Sequence, residues 1–314
     1  DEYYYDQWGL HRINASKAWD TFTGNPDIVV GVIDSGTDYT HPDLADNIWV
    51  NTGEIPDNGI DDDQDGYIDD VIGWNFFKNT NDPMDNESHG THVSGIIAAR
   101  GNNEIGISGI AWNTKIAPLN AGAGNNEISS ASVIKALAYA TFHGFDIINA
   151  SFGGSVYAGG TKTAIDRYPG LFVAGAGNQG TDNDIHPFYP ASYDCSNIIS
   201  VANMNVHSTL NYDASYGAVS VDIAAPGTDI VSTFPGNDYS PLSGASMATP
   251  FVSGAAALLK GYNTSLSTAE LKEKILSSVQ SFDDADKVSS GGCLDLAILL
   301  TPSNGTANDG ILDA

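Results

Sequence analysis

The sequence predicts an α/β fold: a three-layer, doubly wound and mainly parallel sheet with helices on both faces. Three observations carry that expectation. Short Val- and Ile-rich runs without polar alternation recur along the chain, as strands buried on both faces require. Between them lie segments with apolar or small residues at helical spacing, so strand and helix alternate. A chain of 314 residues, 41% of them hydrophobic, is long enough to bury the core of one large domain.

Ser16 to Thr21 reads as a helix, and Asp27 to Ile33 as the first buried strand. That strand runs into Asp34-Ser35-Gly36, placing a carboxylate at its C-terminal end, where open α/β sheets build their sites. Taken alone, an Asp after a strand is more often a cap or turn residue. From Asn58 to Asp70 the chain is a loop, in which Asp61, Asp63 and Asp65 alternate ahead of Gly66 and Asp69. The spacing matches the first half of a calcium loop of the EF-hand type. Ile72 stands where the closing Glu belongs, so Asp69 or Asp70 has to complete the shell. Carboxylates this dense repel one another unless a cation neutralises them, and calcium is the expected ion.

Ser88 to Ala99 follows as a helix of small residues with His89 and His92 at its start. With no acidic residue between them, the histidines do not form the His-Glu-x-x-His arrangement of zinc proteases, and a general base is the expected role. Next come a strand at Lys115 to Leu119, an amphipathic helix from Ser129 to His143 and a strand at Asp146 to Ala150. The turn Ser151-Phe152-Gly153-Gly154 follows, and then the strand Leu171 to Ala174, which exits through Gly175-Ala176-Gly177-Asn178. Further strands are expected at Ile198 to Ala202 and Val219 to Ala224. A capping box, Ser267-Thr268-Ala269-Glu270, opens a helix carrying Leu271, Ile275 and Leu276, and Leu294 to Leu300 is a last helix. Residues 303–314 read as a polar tail.

The stretch Leu242 to Phe251 places Ser246 between Ala245 and Met247, directly after Gly244 and ahead of an Ala-rich helical run. A serine there caps a helix, or serves as a nucleophile with its N–H among the free first-turn donors and its hydroxyl at the positive end of the dipole.

Twelve basic against 39 acidic residues give a net charge of −27, which disfavours nucleic acid and anionic membranes and favours cations. No apolar run is long enough to cross a bilayer. Asp1-Glu2-Tyr3-Tyr4-Tyr5 lacks the character of a signal peptide, as expected of a mature, processed chain. Cys195 and Cys293 either pair or remain two free thiols. Sequons begin at Asn14, Asn86, Asn263 and Asn304.

Three of these segments, Asp34-Ser35-Gly36, His89-Gly90-Thr91-His92 and Gly244-Ala245-Ser246-Met247-Ala248-Thr249-Pro250, together resemble the signatures of the subtilisin-like serine proteases, the subtilase family, in that family's order of Asp, His and Ser. The resemblance runs from about Gln7 to about Leu300, and the Asp61 loop and His89 region resemble bacterial and protozoan members. It implies a peptidase domain over residues 1–302. Ser246 would be the nucleophile, His89 rather than His92 the base, Asp34 its orienting carboxylate, and Asn178 with the Ser246 N–H the oxyanion site. Ala245 departs from the family, which usually has Thr there.

The resemblance further implies that extended peptides bind along Asn120, Ala121 and Gly122 to Gly124 on one side and Ser151, Phe152 and Gly153 on the other. A side-chain pocket would be walled by Ser151 to Gly154 and by Ala174, Gly175, Ala176 and Gly177, with Phe188 at its base. A second calcium site would use Asp43, the Asn103 side chain and the carbonyls of Gly101, Ile105 and Ile107, completed by Asp1 or Gln7. The implied protein is a secreted, monomeric serine endopeptidase released from a propeptide. It would be stabilised by calcium without an organic cofactor, and act on polypeptides with broad or apolar specificity. The alternatives are a catalytically silent scaffold used for binding and a narrow processing protease.

Overall fold

A computed structural model describes residues 1–125 and 127–301. The expected tail and the Asn304 sequon lie outside the described residues. The helices are α1 (Trp8–Arg12), α2 (Ala15–Trp19), α3 (His89–Ala98), α4 (Ser130–Phe142), α5 (Gly159–Arg167), α6 (Ala245–Tyr262), α7 (Thr268–Ser277) and α8 (Leu296–Leu299). The strands are β1 (Val29–Asp34), β2 (Trp74–Asn75), β3 (Lys115–Asn120), β4 (Gly122–Gly124), β5 (Glu127–Ile128), β6 (Ile147–Ala150) and β7 (Leu171–Gly175). They continue with β8 (Ile198–Met204), β9 (Ile223–Pro226), β10 (Ile230–Phe234), β11 (Asp238–Leu242), β12 (Val279–Gln280) and β13 (Cys293–Leu294).

Nine of these strands form one sheet in the order β12-β13-β9-β8-β7-β6-β1-β3-β2, parallel except for the β12–β13 pair. Successive strand residues point to opposite faces, so each strand supplies two cores. Val30, Val32, Ile147, Leu171 and Val173 pack with α3 and α6, whereas Ile33, Ile148, Phe172 and Ala174 pack with α4 and α5. Both faces are thus covered, which is why the strands read as continuous apolar runs. The chain leaves β1 toward β3 on one side and returns to β6 on the other, and this reversal opens a crevice at the C-terminal end of β1.

At four points the structure departs from the expectations or decides what they left open. The strand placed at Val219 to Ala224 begins only at Ile223, because the Val219 and Ser220 amides bind the Asp184 carboxylate at 3.1 and 2.8 Å in an exposed turn. The hairpin of β10 and β11 and the β12–β13 edge pair were not foreseen, being short and without apolar periodicity. The helix expected from Leu294 starts two residues later, capped by the Asp295 side chain on the Ile298 N–H at 3.0 Å. Cys195, in the connection from β7 to β8, and Cys293, in β13, are free thiols buried in separate clusters.

Candidate active site

The end of β1 and the start of α3 meet because two glycines let the backbones touch. A Cβ on Gly90 would strike the Gly36 carbonyl, and Gly36 itself holds φ +110°, so both motif glycines are required by the same approach. The approach brings His89 Nδ1 to 2.7 Å from Asp34 Oδ1, which also accepts the Ser35 N–H at 2.7 Å. Asp34 Oδ2 is buried and has no hydrogen-bond partner among the described residues, so its charge is not spent on another donor. Asp85 fixes the turn ahead of α3: its two oxygens accept from the Ser35 hydroxyl, the Glu87 and Ser88 amides, and both the amide and hydroxyl of Thr91.

Burial alone would keep His89 neutral. The Asp34 carboxylate, its hydrogen bond, and the charges of Asp85 and Glu87 outweigh it and hold the imidazole above its ordinary value. His92 has the opposite character. Fully buried, with Nε2 at 2.9 Å from the Ile230 carbonyl and 3.0 Å from that of Ser240, it is pushed down to about 4 by burial and by neighbouring His89. It ties α3 to the β10–β11 hairpin and faces no cleft.

Ser246 sits in the first turn of α6, following Gly244, whose carbonyl accepts the Met247 N–H at 3.0 Å. Pro250, four residues on, has no N–H and so leaves the Ser246 carbonyl without its helical donor. Ser151 Oγ supplies one at 2.8 Å, and is held in turn by Asn149 Nδ2 at 3.0 Å, whose Oδ1 accepts the Ser253 hydroxyl at 2.8 Å. The Ser246 hydroxyl donates to the Ser151 carbonyl at 3.1 Å, so the serine is clamped at both ends by one residue of the neighbouring loop. Asn178 Oδ1 accepts the Ala245 N–H at 2.7 Å. This leaves the Asn178 Nδ2–H2 group beside the unspent Ser246 N–H.

Asp34, His89, Asn178 and Ser246 line one cleft of about 710 Å³ with Ser151, Phe152, Gly153, Gly175, Gly177 and Phe188. Several residues expected at the cleft lie behind its walls. The Asn120 side chain turns inward to donate to the Ser35 carbonyl at 2.7 Å, and Ala121 is fully buried, so only the backbone beyond them is open. Gly122 belongs to β4, paired with β5, whose Glu127 and Ile128 reach the cleft. Ala174 and Ala176 point into the second and third hydrophobic clusters and not into the pocket.

The Subtilase family model matches residues 25–296. This chain is a subtilase. It is 35% identical to subtilisin-like protease 1 of Plasmodium vivax over 94% of this chain and 51% of that protein. It is 34% identical to thermitase of Thermoactinomyces vulgaris over 91% of this chain and 90% of that one. Among solved structures, a protease of Pseudoalteromonas arctica superposes with a TM-score of 0.76 at 25% identity, covering 95% of this chain and 97% of the other. The subtilase spans about half the length of the malarial relatives it matches. Among the described residues, no helix is long and apolar enough to cross a membrane.

The acidic loop of this subtilase is organised differently from its linear spacing. Asp61 accepts the Asp65 and Gly66 amides, and Asp69 those of Asn58 and Gly59, so both cap loop backbone. The carboxylates that converge are Glu54, Asp63 and Asp70, with Asp63 shared by a second group of Asp65 and His143. Glu54 and His143 lie outside the aspartate-rich run and carry no signal in its spacing; Asp70 was one of the two candidates for closing the shell. Burial, together with the charges of Asp65 and Asp63, raises Asp70 from 3.8 to about 7 against the opposing hydrogen bonds from Tyr139 and Asn51. At the other loop, Asp43 meets Asn103 as anticipated, but its oxygens already accept Asn103 Nδ2 at 2.8 Å, the Ile107 N–H at 2.9 Å and the Tyr239 hydroxyl at 3.0 Å. Asp1 takes the Asn102, Asn103 and Glu104 amides, and Gln7 exchanges hydrogen bonds with the Ser108 backbone.

Proposed function

We propose that the chain is a serine endopeptidase acting on extended polypeptides through an acyl-enzyme. The observation that carries this is the 2.7 Å Asp34–His89 pair opening into the same cleft as Ser246 and Asn178. In this reading, Ser246 Oγ turns from the Ser151 carbonyl and attacks the scissile carbonyl carbon. His89 Nε2 takes its proton, and Asp34 holds the Nδ1–H tautomer and the imidazolium. The oxyanion lies between the Ser246 N–H and Asn178 Nδ2. Collapse breaks the C–N bond as His89 passes the proton to the departing amine, and water, deprotonated by the same histidine, releases the acyl group. The Ser151 to Gly153 segment, which lines the cleft, offers one edge an extended peptide needs, and the β4–β5 hairpin, whose Glu127 and Ile128 reach the cleft, would flank the peptide on the other side. A silent binding scaffold has no use for an unspent oxyanion pair. A fluorophosphonate that labels the protein but not its Ser246→Ala variant, together with cleavage of an unfolded protein, tests the proposal; no labelling at Ser246 would sink it.

The reading extends to secretion from a propeptide-bearing precursor, action as a monomer, an apolar or broad preference, and stabilisation by calcium. The cleft supports the preference, since no basic-residue partner is built into the wall between Ser151 and Gly154. Glu54, Asp63, Asp65 and Asp70 would hold the cation through hard carboxylate oxygens, relieving a repulsion the fold otherwise bears. At Asp43 an ion would have to displace Asn103 Nδ2, or turn that amide so that its oxygen faces inward. A melting temperature unchanged by EDTA counts against both sites.

A further inference from the structure

We infer that Phe188 narrows the apolar or broad preference proposed above to small side chains, those of Gly, Ala or Ser, at the position whose carbonyl Ser246 attacks, an inference that rests on the endopeptidase reading. The pocket for that side chain is the slot between two chain segments that leave adjacent parallel strands, Ser151 to Gly154 after β6 and Gly175 to Asn178 after β7. Glycine at 153, 154, 175 and 177 would leave such a slot wide. It is not empty of side chain, because the Phe188 ring stands across it. A Cβ built on Gly153 would collide with ring atoms Cε1 and Cζ, and one built on Gly177 would lie 3.2 Å from Cδ1 and Cγ. One ring therefore touches both walls.

The ring is also anchored. Tyr189, its neighbour, exchanges two backbone hydrogen bonds with Gly154, each 2.8 Å, which pins the segment to one wall. Phe188 is fixed again through Ser192, whose hydroxyl accepts the Phe188 N–H at 3.1 Å and whose N–H donates to the Phe188 carbonyl at 2.8 Å. Only side-chain rotation can clear the slot, and Gly153, at Cε1 and Cζ, and Gly177, at Cδ1 and Cγ, both pack against the ring edge that would have to move. A substrate methyl fits above the ring; an aromatic or long aliphatic group has to displace it.

The test is a series of peptide anilides differing only at the cleaved position, with Ala, Leu, Phe or Arg there, read as kcat/KM. The wild type is expected to favour Ala over Phe by about tenfold or more, the scale on which apolar pockets discriminate. Phe188→Ala should raise the Phe-to-Ala ratio at least tenfold, with Phe188→Leu falling between. Equal wild-type rates for Ala and Phe overturn the inference, as does a ratio that Phe188→Ala leaves unmoved. Should Phe188→Ala not fold, the wild-type ratio and Phe188→Leu still decide. Failure of the endopeptidase reading looks different: no anilide is cleaved and fluorophosphonate does not label Ser246.

Discussion

Asp70→Asn separates the cost of the acidic loop from the ion proposed to relieve it. Asp70 is fully buried, and its carboxyl is raised from 3.8 to about 7. At ~1.4 kcal/mol for each tenfold change in proton affinity, that corresponds to about 4 kcal/mol of destabilisation above pH 7 in the absence of a cation. The sign follows from the protons: the folded state keeps a proton that the unfolded state has lost, so stability falls as pH rises from 3.8 toward 7 and then levels. Asn keeps an oxygen for the Tyr139 hydroxyl and removes the charge. In EDTA at pH 8 the variant should therefore melt higher than the wild type, whereas in millimolar calcium it should melt lower, having lost a ligand. Thermal denaturation by circular dichroism under both conditions reads the crossing. A variant that melts lower by the same margin with and without calcium refutes the reasoning, since Asp70 would then be a structural hydrogen-bond acceptor only.

Four other outcomes follow from the site. Asn178→Leu should lower kcat by about 10²–10³ with little change in KM, measured on a peptide anilide, because one oxyanion donor is lost. Glu87→Gln removes a charge that helps hold His89 above its ordinary value, so the acidic limb of the kcat/KM profile should move to lower pH; an unmoved limb contradicts that coupling. His92 is held at about 4 against 6.5 for a free histidine, so stability should be complete above pH 6.5 and fall by about 3 kcal/mol as pH drops toward 4; in His92→Gln, urea denaturation should lose that slope. Ala245→Thr, which restores the residue the family usually carries at a position lining the cleft, should raise turnover modestly; a clear fall would count against a supporting hydroxyl at that place.

What the sequence discloses, and what it hides, divides along a physical line. Buried parallel strands are continuous apolar runs because both faces are covered, and a side-chain cap marks the helix starts that have one, so β1, β3, β6, β7, β8 and the Ser267 capping box are readable in advance. The short pairs β10–β11 and β12–β13 leave no such trace: β11 and β12 hold no fully buried residue, and β10 and β13, whose buried residues include Ser232, Thr233 and Cys293, are too short and mixed to read as apolar runs. The cleft residues are legible for a related reason. Gly36, Gly90 and Pro250 each impose a backbone event, a close approach or a missing donor, that only one residue type performs, and the chemistry is placed by those events. Pro250 shows the coupling most directly: by withholding an N–H it hands the Ser246 carbonyl to Ser151, and so joins the helix of the proposed nucleophile to the loop that walls the cleft. The proposed cation ligands obey no comparable rule. A carboxylate can cap a turn or face a cation from the same position in the chain. Asp61 and Asp69 spend their oxygens on amides, while Glu54, distant in spacing, gives one oxygen to the Asp62 and Asp63 amides and the other to that of Asp69, and still converges with Asp63 and Asp70. Spacing counts carboxylates, whereas a cation needs those whose oxygens converge on one point, and that convergence is fixed only when the loop has folded.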